Sequence, residues 1–252
     1  MAVGILGVVA AVGGAIWAYG PSADSAESTR EQTDVAKAEA SRLPNLKVAR
    51  ALAYLKNDLS GTEDDGHTGK MKADGLSGPH VDITFENRAN GPALITKATL
   101  NFREMGTVDT CGATGGELAI SINYDFPIPD PLPKVPYVAE KDISFQVGAN
   151  ELDRLTLTAG PETVGGSPWY GVADVILEHD GGQKESVGTF ALIDTGGDEY
   201  FFPNGDSWVI ETTDGECLAA NAELVDHLLD IPNVIAAKEL KSLDKSLTEL
   251  GY

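Results

Sequence analysis

The chain is short of basic residues: 18 lysines and arginines stand against 39 aspartates and glutamates, for a formal net charge of -21. Affinity for nucleic acids comes largely from cations that neutralise phosphates, so this balance argues against a nucleic-acid-binding protein. The same balance offers little attraction to anionic lipid head groups. By itself, the acidity indicates solubility or a saline habitat.

Cysteine is also scarce, with only Cys111 and Cys217 in 252 residues. No CxxC pair or Cys/His cluster accompanies them, so we expect no metal site, and no cofactor is predicted. In an oxidising compartment the two thiols could pair, and the long loop would stabilise the fold by about 4 to 5 kcal/mol in the chain-entropy treatment. Two unrelated buried thiols are the alternative, and topology decides between them.

The motifs of common enzyme classes are missing as well: the chain has no P-loop, nucleophile elbow, HExxH or strand-borne GxGxxG. The run Gly196-Gly197-Asp198-Glu199-Tyr200 is one residue from the GGDEF signature of diguanylate cyclases. The residues before it, however, show successive strand patterns and not the helix–strand alternation of that fold. We therefore interpret the run as a turn and predict that the protein is not an enzyme.

What the chain does contain is an uncharged N-terminal run at residues 2–20. A helix of this length spans about 28 Å, close to the hydrocarbon thickness of a bilayer. Trp17 and Tyr19 suit the membrane interface, and Pro21 would end or kink the helix. The run lacks the basic flank and clear cleavage site of a signal peptide, so residues 1–20 are predicted to be an uncleaved single-pass anchor, with cleavage as the alternative.

No basic cluster follows this predicted anchor, which favours an extracytoplasmic location at the cell membrane for the bulk of the chain. Small residues also recur in the anchor, at a spacing that lets a second helix approach closely. The candidates for this packing are Gly7, Ala11, Ala15 and, on the neighbouring line, Gly14.

Residues 21–78 are predicted to form a helical stalk and a flexible linker. Apolar residues there are spaced by four, three and four positions, as on one face of a helix: Val48, Leu52, Leu55 and Leu59. The Gly/Asp-rich residues that follow, 60–79, have the composition of an exposed linker.

After residue 79 the apolar period changes to two, with Val81, Ile83 and Phe85 on one face. About seven short runs rich in β-branched residues follow, separated by Gly, Pro, Asn and Asp. The pattern predicts a mainly β fold, an immunoglobulin-like antiparallel β-sandwich over residues 79–195. A closed barrel is the structural alternative.

Residues 196–252 are predicted to form a turn and a helical tail. Four leucines are spaced as in a heptad seam: Leu240, Leu243, Leu247 and Leu250. This stripe would either dock on the sandwich or pair with another helix, such as the one predicted to end at Leu59.

The stretch VDITFENRANGPALITKATLNF, residues 81–102, resembles the opening hairpin of bacterial immunoglobulin-like domains. The wider layout is similar to uncharacterised membrane-anchored proteins of actinobacteria. The residues that carry this resemblance are Cys111, Gly115, Gly116, Tyr124, Pro127, Asp153, Arg154, Asp180, Gly181 and Gly182. The resemblance implies a fold and an exported location, and it carries no catalytic residues over.

These features favour a membrane-anchored, non-enzymatic β-sandwich that binds a partner protein as an accessory or scaffold subunit. The first alternative is a cell-envelope carbohydrate-binding protein or hydrolase, in which Trp169 and Trp208 would stack on sugar rings. A pilin-like filament subunit is the second alternative, although the apolar run lacks the processing site usual in type IV pilins.

Overall fold

The computed structural model describes residues 45–64, 69–112, 119–164, 168–194 and 200–252. The predicted anchor at residues 1–20, with Gly7, Ala11, Gly14 and Ala15, lies outside these ranges, as do residues 196–199 of the GGDEY run. Within the ranges, no helix combines the length and the apolar character needed to cross a membrane.

The described residues are mainly β. In chain order the elements are β1 (Leu46–Asp64), β2 (Lys70–Asn87), β3 (Ala93–Thr107), β4 (Ala119–Ile122), β5 (Phe126–Ile128), β6 (Tyr137–Val147), β7 (Leu152–Pro161), β8 (Thr163–Val164), β9 (Trp169–His179), β10 (Gln183–Ile193), β11 (Phe201–Asn204), β12 (Ser207–Ile210), α1 (Gly215–Leu229), β13 (Val234–Ala236) and α2 (Lys238–Leu250).

The strands form two large sheets and one small hairpin. The first sheet has the order β5-β7-β2-β1-β4-β8, the second has the order β13-β10-β9-β3-β6, and β11 pairs with β12. The two large sheets pack on each other: the rings of Phe85 on β2 and Phe145 on β6 lie 6.2 Å apart between centroids. As the alternation predicts, Val81, Ile83 and Phe85 are buried in this shared core. The architecture is that of a two-layer β-sandwich.

The helix and linker predicted within residues 45–79 are wrong, because β1 and β2 form a long antiparallel hairpin there. The four-three-four spacing does not mark one face of this segment: Val48 packs against the core, whereas Leu52 is 37% exposed. Register shifts between Val48 and Arg50 and between Asn57 and Leu59 also interrupt the two-residue alternation that would have indicated a strand.

The two helices are part of the same core. α1 begins after Asp214, whose carboxylate accepts the Cys217 N–H at 3.1 Å, and α2 ends at Gly251 in the left-handed region, with φ at 95°. Leu240, Leu243 and Leu247 are buried against the sheets, whereas Leu250 is 53% exposed. Most of the leucine stripe proposed for a partner helix is therefore occupied within this chain.

The same helix meets the segment that was expected to be its helical partner. The Glu239 carboxylate accepts the backbone N–H of Leu55 at 2.9 Å, on the edge of β1 that β2 does not use. Capping an edge in this way removes an open pairing site. The two segments do touch, but as a helix against a strand edge.

Candidate functional site

The outer surface of β1, β2 and β7 carries the candidate site. Since Val81, Ile83 and Phe85 point into the core, alternation turns the residues between and beside them outward. Residues directly opposite one another share a face, as in the row Leu52–Asp82–Thr156. We call this surface the β1–β2–β7 face; its residues are Arg50, Leu52, Tyr54, His80, Asp82, Thr84, Leu152, Arg154 and Thr156.

This face mixes apolar and charged groups. Leu52 is 37% exposed and Leu152 is 67% exposed. Arg154 has an equally accessible side chain, and Tyr54 is half-buried. Tyrosine and arginine beside exposed apolar side chains are the composition that protein–protein interfaces favour.

Asp82 lies at the centre of the face and is incompletely satisfied. Its side chain is only 8% exposed, and its Oδ2 lies 3.5 Å from Arg154 Nη1, beyond ordinary hydrogen-bond length. Among the residues that the structure describes, no group donates to Asp82 Oδ1, which is buried. An unsatisfied buried acceptor costs about 1 to 3 kcal/mol, so its retention calls for a physical explanation.

An ion pair on the second sheet provides a direct contrast. Asp174 Oδ2 lies 3.5 Å from Arg103 Nε, the same separation as in the Asp82 pair. There, however, the Thr189 hydroxyl donates to Asp174 Oδ1 at 2.6 Å. The orphan oxygen is therefore not a general property of arginine–aspartate pairs on these strands.

His80 is a buried residue of the β1–β2–β7 face with a polar contact at each ring nitrogen. The residue is 3% exposed. Its Nε2 lies 2.9 Å from Asp58 Oδ1, and its Nδ1 lies 2.8 Å from the Gly78 carbonyl oxygen. Both ring nitrogens therefore lie against neighbouring oxygens, which fixes the orientation of the imidazole.

The contacts extend to Tyr54, whose ring stacks on His80 at 5.5 Å between centroids and 13° between planes. Burial raises the pKa of Tyr54, and the negative charge of Asp82 raises it further, so the hydroxyl stays protonated. A hydrogen bond from Lys56 lowers the pKa of Asp58, which keeps that carboxylate charged beneath His80. These contacts fix the Tyr54 ring on the same face as Asp82.

Of the two alternatives that the sequence left open for the cysteines, the structure shows the disulfide between Cys111 and Cys217, with 5.5 Å between the Cα atoms. It ties the loop after β3 to the first turn of α1, and the Asn221 amide donates to the Asp109 carbonyl at 2.7 Å in the same place. Asp109 and the two sulfurs come within 4.8 Å of one another. Cysteine binds metals as a thiolate, and the two sulfurs here are bonded to each other, so they do not form a metal site with Asp109.

The aromatic residues considered as sugar platforms belong to the core. Trp169 is 2% exposed and Trp208 is 6% exposed. The Trp208 indole N–H donates to the Glu239 carbonyl at 2.8 Å, which fixes it under α2. Neither ring can stack on a sugar in this fold.

Sequence reasoning missed the face for two different reasons. Leu52 and Tyr54 were assigned to a helix, so their outward direction on a strand was lost. His80 and Asp82 belong to a strand that was read correctly, and their alternation with Val81 was the available signal. Their burial and their partners depend on β1 and β7, so the residues next to them in the sequence do not indicate either.

No protein-family model, curated protein or solved structure matches this chain.

Proposed function

We propose that this protein is a non-enzymatic, membrane-anchored β-sandwich outside the cytoplasm, and that it binds a partner protein through the β1–β2–β7 face. It would serve as an accessory or scaffold subunit. The observation that carries the proposal is that accessible Leu152 and Arg154 lie on the same face of the sheet as the half-satisfied carboxylate of Asp82. Such a surface gains more from contact with another protein than from contact with water.

Two further observations support the location. The uncharged residues 2–20 suit a membrane span, and a disulfide such as Cys111–Cys217 persists in oxidising compartments. Together they favour a sandwich held at the outer side of a membrane.

The strand order supports an immunoglobulin-like sandwich. Within the described ranges, seven strands have ten or more residues: β1, β2, β3, β6, β7, β9 and β10. The first, second and fifth of these share one sheet, and the third, sixth and seventh share the other, as in immunoglobulin domains. The fourth, β6, differs from the constant-type arrangement because it joins the second sheet.

The alternatives have less support. A carbohydrate-binding protein would need an accessible aromatic platform, and Trp169 and Trp208 are buried. No observation in the described ranges favours a pilin-like filament subunit.

The proposal is tested by photo-crosslinking in native membranes. p-Benzoylphenylalanine replaces Leu152 in one version of the full chain and Val138 in a matched control, since Val138 is 52% exposed on the other sheet. We expect a discrete adduct with one protein from position 152 and none from position 138. No adduct, or the same adducts from both positions, would show that the β1–β2–β7 face is not the binding surface.

A further inference from the structure

One cross-strand row of the β1–β2–β7 face carries two arginines. Arg50 on β1 and Arg154 on β7 both lie directly opposite Thr84 on β2, so the three residues share one face of the sheet. Neighbouring strands are about 4.8 Å apart, so about 10 Å separates the backbones that carry the two guanidinium groups. An arginine side chain is long enough to reach half of that distance. Both guanidinium groups can therefore meet above the Thr84 hydroxyl.

Neither of these arginines is held by a hydrogen-bonded carboxylate. Among the residues that the structure describes, Arg50 forms no ion pair and no side-chain hydrogen bond. The ion pair of Arg154 with Asp82 spans 3.5 Å, which is longer than a hydrogen bond and leaves the guanidinium N–H groups available. On the second sheet, by contrast, Arg103 donates to the Thr189 hydroxyl at 3.2 Å. The two arginines of the row can both donate to an incoming acceptor.

Three carboxylates near the row do not compete for these arginines. Asp58 pairs with Lys56, and Glu86 pairs with Arg88 at 2.6 Å. Each of these pairs is neutral as a whole, so it does not set the sign of the charge that an incoming group meets. Asp153 lies on the opposite side of β7 by alternation.

The remaining charges of this surface are mainly positive. Alternation from the buried Leu46 turns the exposed Lys47 outward at the start of β1. Lys47, Arg50 and Arg154 then stand against the single carboxylate of Asp82. The formal net charge of -21 belongs to the whole chain, and at physiological salt charges more than about 8 Å away are largely screened. The groups next to the row therefore decide which ligand it accepts, and they favour an anion.

Apolar side chains flank the row on both outer strands. Leu52 lies two residues after Arg50 on β1, and Leu152 lies two residues before Arg154 on β7, so both leucines share the outer face with the arginines. Both leucines are exposed. An acidic residue with apolar residues on either side can use the arginines and the leucines together. A free inorganic anion can use only the arginines.

We infer that the occupant of the β1–β2–β7 face is an acidic segment of a partner protein, and that Arg50, Thr84 and Arg154 hold an aspartate or glutamate carboxylate of this segment. The guanidinium groups donate charge-assisted hydrogen bonds to the carboxylate oxygens, and the Thr84 hydroxyl donates a further one. The inference rests on the proposed function and names the chemistry of the partner.

The test uses the full chain, labelled with ¹⁵N in detergent micelles at physiological salt, and two probe peptides. One is acetyl-Gly-Leu-Ser-Glu-Ser-Leu-Gly-amide, and the other has Gln in place of Glu, which keeps the shape and removes the charge. We expect the glutamate peptide at millimolar concentration to shift the Nε–H signals of Arg50 and Arg154 and to leave that of Arg103 unchanged. The glutamine peptide should shift none of them. No shift with the glutamate peptide, or equal shifts with both peptides, would overturn the inference.

Two variants of the row sharpen this test. Neither Arg50 nor Thr84 uses its side chain in a hydrogen bond within the described ranges, so their replacement should leave the fold intact. Arg50→Gln should weaken binding of the glutamate peptide about tenfold, and Thr84→Val about fivefold, since a hydrogen bond to a charged group is lost in each. Arg103→Gln, the matched control on the second sheet, should not change it. Wild-type affinity in Arg50→Gln, or equal weakening in Arg50→Gln and Arg103→Gln, would refute the assignment to this row.

Inorganic phosphate serves as a third probe. We expect it to bind more weakly than the glutamate peptide, because it gains nothing from Leu52 and Leu152. Tighter binding of phosphate would assign the row to a phosphate group and would refute the acidic segment.

The crosslinking experiment separates this inference from the proposed function. If the double variant Arg50→Gln/Arg154→Gln gives the adduct from position 152 at the wild-type yield, the binding face stands and the carboxylate contact is refuted. If the wild type gives no adduct from that position, the proposed function itself is refuted.

Discussion

The hydroxyl of Tyr124 donates a hydrogen bond to Asp194 Oδ2 at 2.8 Å, and both residues are buried. Tyr124 follows β4 of the first sheet, and Asp194 follows β10 of the second, 70 residues later. The bond therefore ties together the two layers of the sandwich. A buried hydroxyl and a buried carboxylate satisfy one another here, in contrast to Asp82 on the outer face.

This bond predicts how stability responds to alkaline pH. Burial raises the pKa of Tyr124, and the charge of Asp194 raises it further, whereas the unfolded phenol ionises near pH 10. Stability contributed by the protonated phenol is fully present below pH 10 and falls as the pH rises above it, because the unfolded state then loses the proton first. Urea denaturation between pH 8 and pH 11 should show a shallower decline for Tyr124→Phe than for the wild type.

The control for this prediction is Tyr252→Phe, at a residue that is 42% exposed. It should keep the alkaline decline of the wild type. At pH 7, Tyr124→Phe should lower the free energy of unfolding by about 1 to 3 kcal/mol, since a partner of a buried carboxylate is removed. Identical pH profiles for the two variants would contradict the assignment to Tyr124.

We expect any side chain at position 160, now Gly160, to destabilise the protein. A Cβ added there would lie 2.5 Å from Cζ of the Tyr124 ring, whereas a Cβ at Gly112 would come no closer than 3.9 Å to any described residue beyond its chain neighbours. Overpacking typically costs about 1 to 3 kcal/mol, so Gly160→Ala should lower the urea midpoint while Gly112→Ala leaves it nearly unchanged. Equal midpoints would mean that the Tyr124 ring does not sit against Gly160.

The buried part of the leucine stripe is tested within a single helix. Leu243 is fully buried and Leu250 is 53% exposed. Leu243→Ala should destabilise the protein by about 2 to 5 kcal/mol, because it leaves a cavity under α2, and Leu250→Ala should change stability by less than about 0.5 kcal/mol. Thermal unfolding followed by circular dichroism measures both. Similar effects in the two variants would indicate that α2 does not dock through this stripe.

The Cys111–Cys217 disulfide closes a separation of 106 residues. Freshly isolated protein should therefore resist alkylation until it is reduced. Replacing both cysteines by serine should lower the free energy of unfolding by about 2 to 5 kcal/mol in urea titrations. Two alkylated thiols before reduction would contradict both the disulfide and an oxidising location.

Much of the β architecture could be predicted from the sequence because alternation is a local property. The spacing of Val81, Ile83 and Phe85 predicts a strand with one buried face, and these three side chains are buried in the core. The leucine spacing likewise predicted the helix that now ends at Leu250. The two cysteines allowed a disulfide, but their sequence positions alone left it open.

The remaining features depend on contacts between distant segments. Residues 46–64 form a strand because β2 pairs with them along their length, and register shifts after Val48 and Asn57 interrupt the two-residue alternation that would have indicated it. Leu243 belongs to the hydrophobic core, and not to an interface with another helix, because α2 docks on the sheets. Asp82 is a candidate site only because β1 and β7 surround it and leave one oxygen without a donor. The sequence by itself determined the alternation of Val81, Ile83 and Phe85 and the leucine spacing of α2, since neighbours a few positions apart decide both. Only the tertiary structure decided which faces are covered, since burial and hydrogen bonding are set by residues far away in the chain.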